Sequence, residues 1–192
     1  YAMAYAGHQF GYFVPQLGDG RAINLGAVNN WHLQTKGSGL TRYSRSGDGR
    51  AVLRSSIREY LMSEAMFGLG IPTTRALGLI DSDSFAHRDW EQESCSIVLR
   101  MSPSWIRVGT FEFFARSRDK ETISQLADYV IKQSYPHLEN EENKYEKMFY
   151  SLVDKTAELL AKWQVYGFQH GVMNTDNFSV AGLTLDYGPY AF

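Results

Sequence analysis

The sequence predicts an α+β fold in two lobes, a strand-rich first lobe and a truncated helical second one. Three observations carry this. Short alternating runs separated by Gly and Asn turns fill the first fifty residues, one strong helix and two further strand-like runs follow, and two long helical patterns come after Pro103. The boundary falls between residues 101 and 102, dividing the chain into 1–101 and 102–192. A chain of 192 residues is long enough for a real core, as one large domain or two small lobes.

In chain order, Gly7 to Leu25 is rich in glycine and aromatics, and Gly18-Asp19-Gly20 signals a turn before a short strand at Arg21–Val28. After Asn29-Asn30 the alternation of Trp-His-Leu-Gln-Thr-Lys suits a half-buried strand that ends by presenting Lys36. Residues 37–49 form a long Gly/Ser/Arg loop, a length that is usually functional or disordered. Asp48-Gly49 opens a helix over about Ala51–Gly68, with Leu53, Ile57, Leu61 and Ala65 on one face. Glu59 points away from that stripe and shares a second, partly apolar face with Met62, Ser63 and Met66, so the helix reads as sandwiched. Strand-like runs at Arg75–Ile80 and Ser94–Met101 are joined by a polar, turn-rich link, and a linker from Pro103 leads to helical patterns at about Asp119–Ser134 and Lys144–Tyr166. Gly167 caps the last of these.

A formal net charge of −2 gives no support for a nucleic-acid or anionic-membrane binder. No run approaches the roughly 18 apolar residues of a membrane span. Cys95 is the lone cysteine, so no internal disulfide is available; it reads as a plain strand residue in a reducing, cytosolic setting. The N-terminus has no signal-peptide pattern, and both ends read as cuts through a longer protein.

The chemistry concentrates between His170 and Gly188, His-Gly-Val-Met-Asn-Thr-Asp-Asn followed by Asp-Tyr-Gly. A kinase catalytic loop reads H-R-D-L-x-x-x-N and is followed by D-F-G, whose Asp and the loop Asn hold two metal ions. On that pattern Asn177 takes the place of the metal-binding Asn and Asp186 that of the D-F-G Asp, while Val172 stands where the catalytic base belongs. Both side chains are hard oxygen ligands suited to Mg²⁺ held against nucleotide phosphates. The order of elements is likewise that of a protein-kinase-like bilobal fold, with the nucleotide between the lobes. Lys36 at a strand end and Glu59 on the next helix match the pair that grips and steadies nucleotide phosphates; taken alone they would read as a solvated Lys and Glu. Gly18 to Arg21 could lay backbone N–H groups on phosphate or form a plain hairpin turn. Arg42, Arg45, Arg50, Arg54 and Arg58 crowd the glycine loop and the helix after it, and Arg100 and Arg107 flank the lobe junction. Arginine suits bidentate phosphate capture, and surface ion pairing with Glu59, Glu64 and Glu112 is the bland alternative. Asp176 could accept a proton from an attacking hydroxyl or cap a turn, and His170 reads as a structural anchor of its loop.

Tyr-Ala-Gly-His-Gln-Phe-Gly, Pro-Gln-Leu-Gly-Asp-Gly-Arg-Ala, Lys-Gly-Ser-Gly, the stretch Ser44–Leu61, Trp-Ile-Arg-Val-Gly-Thr-Phe-Glu, Gly-Phe-Gln-His-Gly-Val-Met-Asn-Thr-Asp-Asn and Leu-Thr-Leu-Asp-Tyr-Gly-Pro-Tyr-Ala-Phe closely resemble, in order and from end to end, the selenoprotein O family. The resemblance implies a kinase-like fold, long classed as a pseudokinase because the usual catalytic Asp is absent. It implies transfer of AMP from ATP, bound in reversed orientation, to Ser, Thr or Tyr hydroxyls of proteins. On the same ground Lys36 and Glu59 are expected as the ion pair, and Gly18, Gly20, Arg21, Asp48, Gly49, Arg100 and Arg107 as ATP-binding residues. Asp176 is expected as proton acceptor, and Asn177 and Asp186 as ligands of Mg²⁺ or Mn²⁺. Protein substrates, with neither nucleic acid nor membrane, and a cytoplasmic place in bacteria or a mitochondrial one in eukaryotes complete the expectation. Three other readings stay open: a catalytically inactive ATP-binding fragment, an ordinary phosphotransferase, and a metal-dependent hydrolase using His170, Asp176 and Asp186, which leaves Lys36, Glu59 and the arginines without a task.

Overall fold

Two antiparallel hairpins open the chain in the computed structural model, which describes residues 1–192. Strands β1 (Ala4–Gln9) and β2 (Tyr12–Gly18) turn through Phe10 and Gly11, both at positive φ. Strands β3 (Ala22–Val28) and β4 (Trp31–Lys36) turn through Asn29 and Asn30, at φ 48° and 67°, the left-handed pair that a two-residue hairpin needs and that Asn tolerates. A long hairpin of β6 (Arg75–Arg88) and β7 (Glu91–Ser102) completes a five-stranded antiparallel sheet. Strand β7 is its centre, pairing with β6 along one edge and, along the other, with β4 and the two-residue β5 (Ala51–Val52).

Helix α1 (Leu53–Gly68) crosses this sheet against β6 and β7. Helices α2 (Val108–Ala115), α3 (Lys120–Ser134) and α4 (Lys144–Val165) follow. Asp119 caps α3 by accepting the N–H groups of Glu121 and Thr122, and Gly167, at φ 72°, ends α4 in the left-handed conformation. The architecture is therefore α+β, with antiparallel sheets and four helices. No helix is long and apolar enough to cross a membrane.

Four expectations change. The glycine-rich start, in which no strand is expected before Arg21, is the β1–β2 hairpin, which packs on α2 and is separate from the five-stranded sheet. The polar link 81–93 is mostly strand: β6 runs on to Arg88 and β7 begins at Glu91, because cross-strand pairing continues where most side chains of the ribbon are wet and only Ala86 is buried, so no apolar alternation marks it. The linker after Pro103 already contains α2. Finally, α1 is not sandwiched. Its stripe is turned to solvent, with Ile57 40% and Leu61 62% exposed, and the buried face is Ser56, Glu59, Ser63 and Met66. The small serines let the helix lie close to the sheet, and Glu59 finds cations there, so a polar network decides the orientation.

The core fixes the last segment in space. Met66 and Ile71 pack with Leu159 and Trp163 of α4 and with Phe168 and Tyr187. The Tyr187 hydroxyl bonds Thr73 Oγ1, and Leu185 is fully buried beside Trp105 and Leu183. Asp186 sits between these two buried neighbours, so its carboxylate is held rigidly where the strands end. Cys95 is buried in β7.

Candidate functional site

Register sets the site. Gln34 of β4 lies opposite Asn24 of β3 on one side and Arg100 of β7 on the other, and Lys36 is two residues along the same face. Asn24 Nδ2 donates to Asp19 Oδ2 at 3.2 Å, Gln34 Nε2 to Asn24 Oδ1 at 3.1 Å, and Arg100 Nε to Gln34 Oε1 at 2.9 Å. This buried polar ladder delivers Arg100 to Glu59 (2.8 Å) and Asp186 (2.7 Å). Lys36 Nζ reaches the same two carboxylates at 2.5 Å and 2.6 Å. Two cations and two anions thus share one volume that is buried except where Asp186, a quarter exposed, meets the cleft. Burial alone would raise the Asp186 pKa; Lys36, Arg100 and Arg107 outweigh it and hold the carboxyl well below the usual range. Arg100 is raised above its ordinary value by Asp186 and Glu59 despite its burial.

In front of this cluster lies a cleft of about 300 Å³. Gly18, Gly20, Arg21, Lys36, Asp48, Gly49, Arg100, Arg107 and Asp186 all line it, together with Arg45, Arg50 and Arg88. Its far wall is the 37–49 loop. Gly49 there has φ 71°, and a Cβ would stand 2.2 Å from the Gly39 carbonyl, so this loop closes only with glycine. Asp48 is bidentate to Arg88 at 2.7 Å and 2.8 Å, which lowers its pKa to about 2.

Arg107 joins the cleft to the loop that carries Asp176 and Asn177. Its Nη1 donates to the Asp176 carbonyl at 2.7 Å and approaches Asn177 Oδ1 at 3.4 Å, while Nη2 lies 3.6 Å from Asp19 and the guanidinium stacks over Tyr5. Asn177 Nδ2 donates to the Val172 carbonyl, which turns Oδ1 toward Arg107. Asp176 is buried in a short 3-10 turn (Thr175–Asn177); its Oδ2 accepts from Gln9 Nε2 at 2.9 Å and its Oδ1 has no partner. Asp176 and Asn177 stand beside the cleft through Arg107 and do not line it.

His170 is stacked on Trp163 at 5.3 Å and accepts the Val172 N–H, so it packs beneath the loop. Burial lowers its pKa below 6.5, outweighing the nearby Asp186. The unfolded chain takes up a proton near pH 6.5 that the folded chain resists, so stability falls as pH drops through that value. In chemical denaturation at about pH 7.5 and about pH 5.5, His170→Phe is expected to lose less stability on acidification than the wild type.

Of the other arginines, two have partners outside the cleft. Arg54 pairs with Glu93, and Arg58 caps the carbonyls of Gly188 and Tyr190. Glu59 is taken by Arg100 and Lys36, Glu64 by Arg75 at 2.7 Å, and Glu112 by His8 at 2.9 Å. Asp19, Asn24 and Gln34 were invisible as site residues; the only signal was an Asn and a Gln at matching positions of two paired strands.

Fold and site together define an α+β chain whose cation-rich cleft abuts a rigidly held carboxylate. A profile described as protein adenylyltransferase SelO matches residues 1–192, and the chain belongs to that family. It is 54% identical over 197 residues to the protein nucleotidyltransferase YdiU of Myxococcus xanthus (strain DK1622), covering all of this chain and 40% of the relative. The proteins of that name from Thioalkalivibrio sulfidiphilus (strain HL-EbGR7) and Thiobacillus denitrificans (strain ATCC 25259 / T1) are 55% and 56% identical, each over 196 residues with the same coverage. The chain thus spans about two fifths of the length of these curated relatives.

Proposed function

We propose that this chain carries the ATP site and the transfer chemistry of a protein adenylyltransferase, in a kinase-like arrangement of two lobes, 1–101 and 102–192. One observation carries the reading. Nine residues scattered from Gly18 to Asp186 line a single cationic cleft, and Arg107 ties that cleft to Asp176 and Asn177.

With ATP reversed, the γ-phosphate lies inward and Lys36 and Arg107 face the phosphates while Arg100 adds charge from behind Asp186. Glu59 stops Lys36 wandering. The Asp176 carboxylate takes the proton of a Ser, Thr or Tyr hydroxyl on a protein substrate. The hydroxyl oxygen bonds to the α-phosphorus as the bond from that phosphorus to the β-bridging oxygen breaks. Pyrophosphate leaves with the electron pair, stabilised by guanidinium groups already in place.

Mg²⁺ or Mn²⁺ fits the donor set. Asp186 Oδ1 is shared by Lys36 and Arg100, whereas Oδ2 has no protein donor, and Asn177 Oδ1 has only the long contact to Arg107. No three His, Cys, Asp or Glu side chains converge as ligands. A cation held by Asn177 and Asp186 would therefore complete its shell with phosphate and water, as Mg²⁺ does. When bound it neutralises charge developing on the phosphate oxygens.

The test is intact mass after incubation with ATP, the divalent cation and a hydroxyl-bearing acceptor protein. A gain of one AMP unit per site is expected. A gain of one phosphoryl group points to ordinary phosphotransfer. ATP-dependent thermal stabilisation with no mass gain points to a binding module.

A further inference from the structure

We propose that the β1–β2 hairpin is the clamp that orients Asp176, with Gln9 as a positioning residue for AMP transfer; this rests on the adenylyltransferase reading of the site. The motif Gly7-His8-Gln9 has no part in holding the nucleotide: none of its residues lines the cleft. It is nevertheless locked onto the segment beside it by two direct hydrogen bonds and by a bridge through Glu112. Gln9 Nε2 donates to Asp176 Oδ2 at 2.9 Å. The His8 N–H donates to Thr175 Oγ1 at 2.8 Å, and Thr175 Oγ1 donates to Glu112 Oε2 at 2.6 Å. His8 Nδ1 meets the other oxygen of Glu112, at 2.9 Å, so α2 braces hairpin and loop together.

The backbone is shaped for the same contact. A Cβ on Gly7 would stand 2.5 Å from Asp176 Oδ1, so the carboxylate rests against bare backbone. A Cβ on Gly109 would stand 2.1 Å from the Ala6 carbonyl, so α2 is equally close to β1. These contacts do one chemical thing. They fix one oxygen of a buried carboxylate by hydrogen bonding and leave the other, Oδ1, without a partner and closed off from solvent against Gly7. A proton acceptor requires an oxygen with a free lone pair in a fixed direction.

The test uses Gln9→Met, which keeps the length of the side chain and removes the donor. Loss of carboxylate orientation is expected to lower kcat for AMP transfer by about ten-fold or more. The KM for ATP and the ATP-dependent thermal shift stay at wild-type values, because the cleft is untouched. Gln9→Glu, which sets a like charge beside Oδ2, is expected to cost more than Gln9→Met. A second measurement needs no turnover: the Gln9 side-chain amide resonances should move when Asp176→Asn is introduced. Wild-type kcat in Gln9→Met, equal losses in kcat and ATP affinity, or Gln9 amide signals indifferent to Asp176→Asn each overturn the clamp. A wild type that binds ATP but transfers no AMP overturns the adenylyltransferase reading instead, while the amide signals still report whether the clamp exists.

Discussion

Asp186→Asn is expected to abolish AMP transfer and to destabilise the fold by about 3 kcal/mol at neutral pH. The substitution keeps the side-chain volume and removes the one charge that both Lys36 and Arg100 contact from the second half of the chain. Glu59 is then left to balance two buried cations alone. The pH dependence has a definite sign. The folded-state pKa of Asp186 is depressed, so its contribution is fully present above the unfolded value, about 3.9. The gap between wild type and variant therefore persists at neutral pH and closes only as pH falls below about 4 toward the depressed value. Metal-free ATP should still bind the variant, since its cleft is more positive. Retained binding with lost transfer separates this outcome from simple unfolding; denaturant titration and equilibrium binding at two pH values read both.

Arg100→Met should produce the largest loss of stability of any single change in residues 1–101, about 3–5 kcal/mol. Arg100 is 3% exposed, and its N–H groups serve Gln34, Glu59 and Asp186 at once. Removing the guanidinium leaves two carboxylates with Lys36 as their only directly bonded cation and takes both Arg100 donors from Gln34 Oε1. Arg100→Lys should not rescue it, because a single ammonium cannot reproduce the planar fork that reaches all three partners. By contrast Arg54→Met removes a surface pair with Glu93 and should shift the denaturant midpoint far less. If the two arginine variants unfold at the same midpoint, the buried cluster does not hold the sheet, α1 and Asp186 together as described.

The parts of the site that the sequence made legible are those fixed by order along the chain. Lys36 at a strand end, Glu59 on the next helix and Asp186 before Tyr187-Gly188 can be read in one dimension, and they meet within hydrogen-bonding distance through Lys36. What could not be read depends on register and on which face is wet. Asn24 and Gln34 look like the outward residues of half-buried strands; only cross-strand pairing shows that they point inward and carry Arg100. The apolar stripe of α1 misled for a related reason. Periodicity finds the apolar face, whereas ion pairing of Glu59 selects the face that is buried. The β1–β2 hairpin was hidden because glycines and exposed aromatics such as Phe10 and Tyr12 blur its alternation, and its importance lies in contacts with residues 167 positions away.

The reversed triphosphate is tested most directly by incubating the chain and an acceptor protein with ATP labelled at either the α- or the γ-phosphorus. Label on protein from the α position alone, absent in Asp176→Asn, is the predicted result. Label arriving from the γ position would mean that the terminal phosphate, and not the α-phosphate, meets the hydroxyl, and would contradict the account.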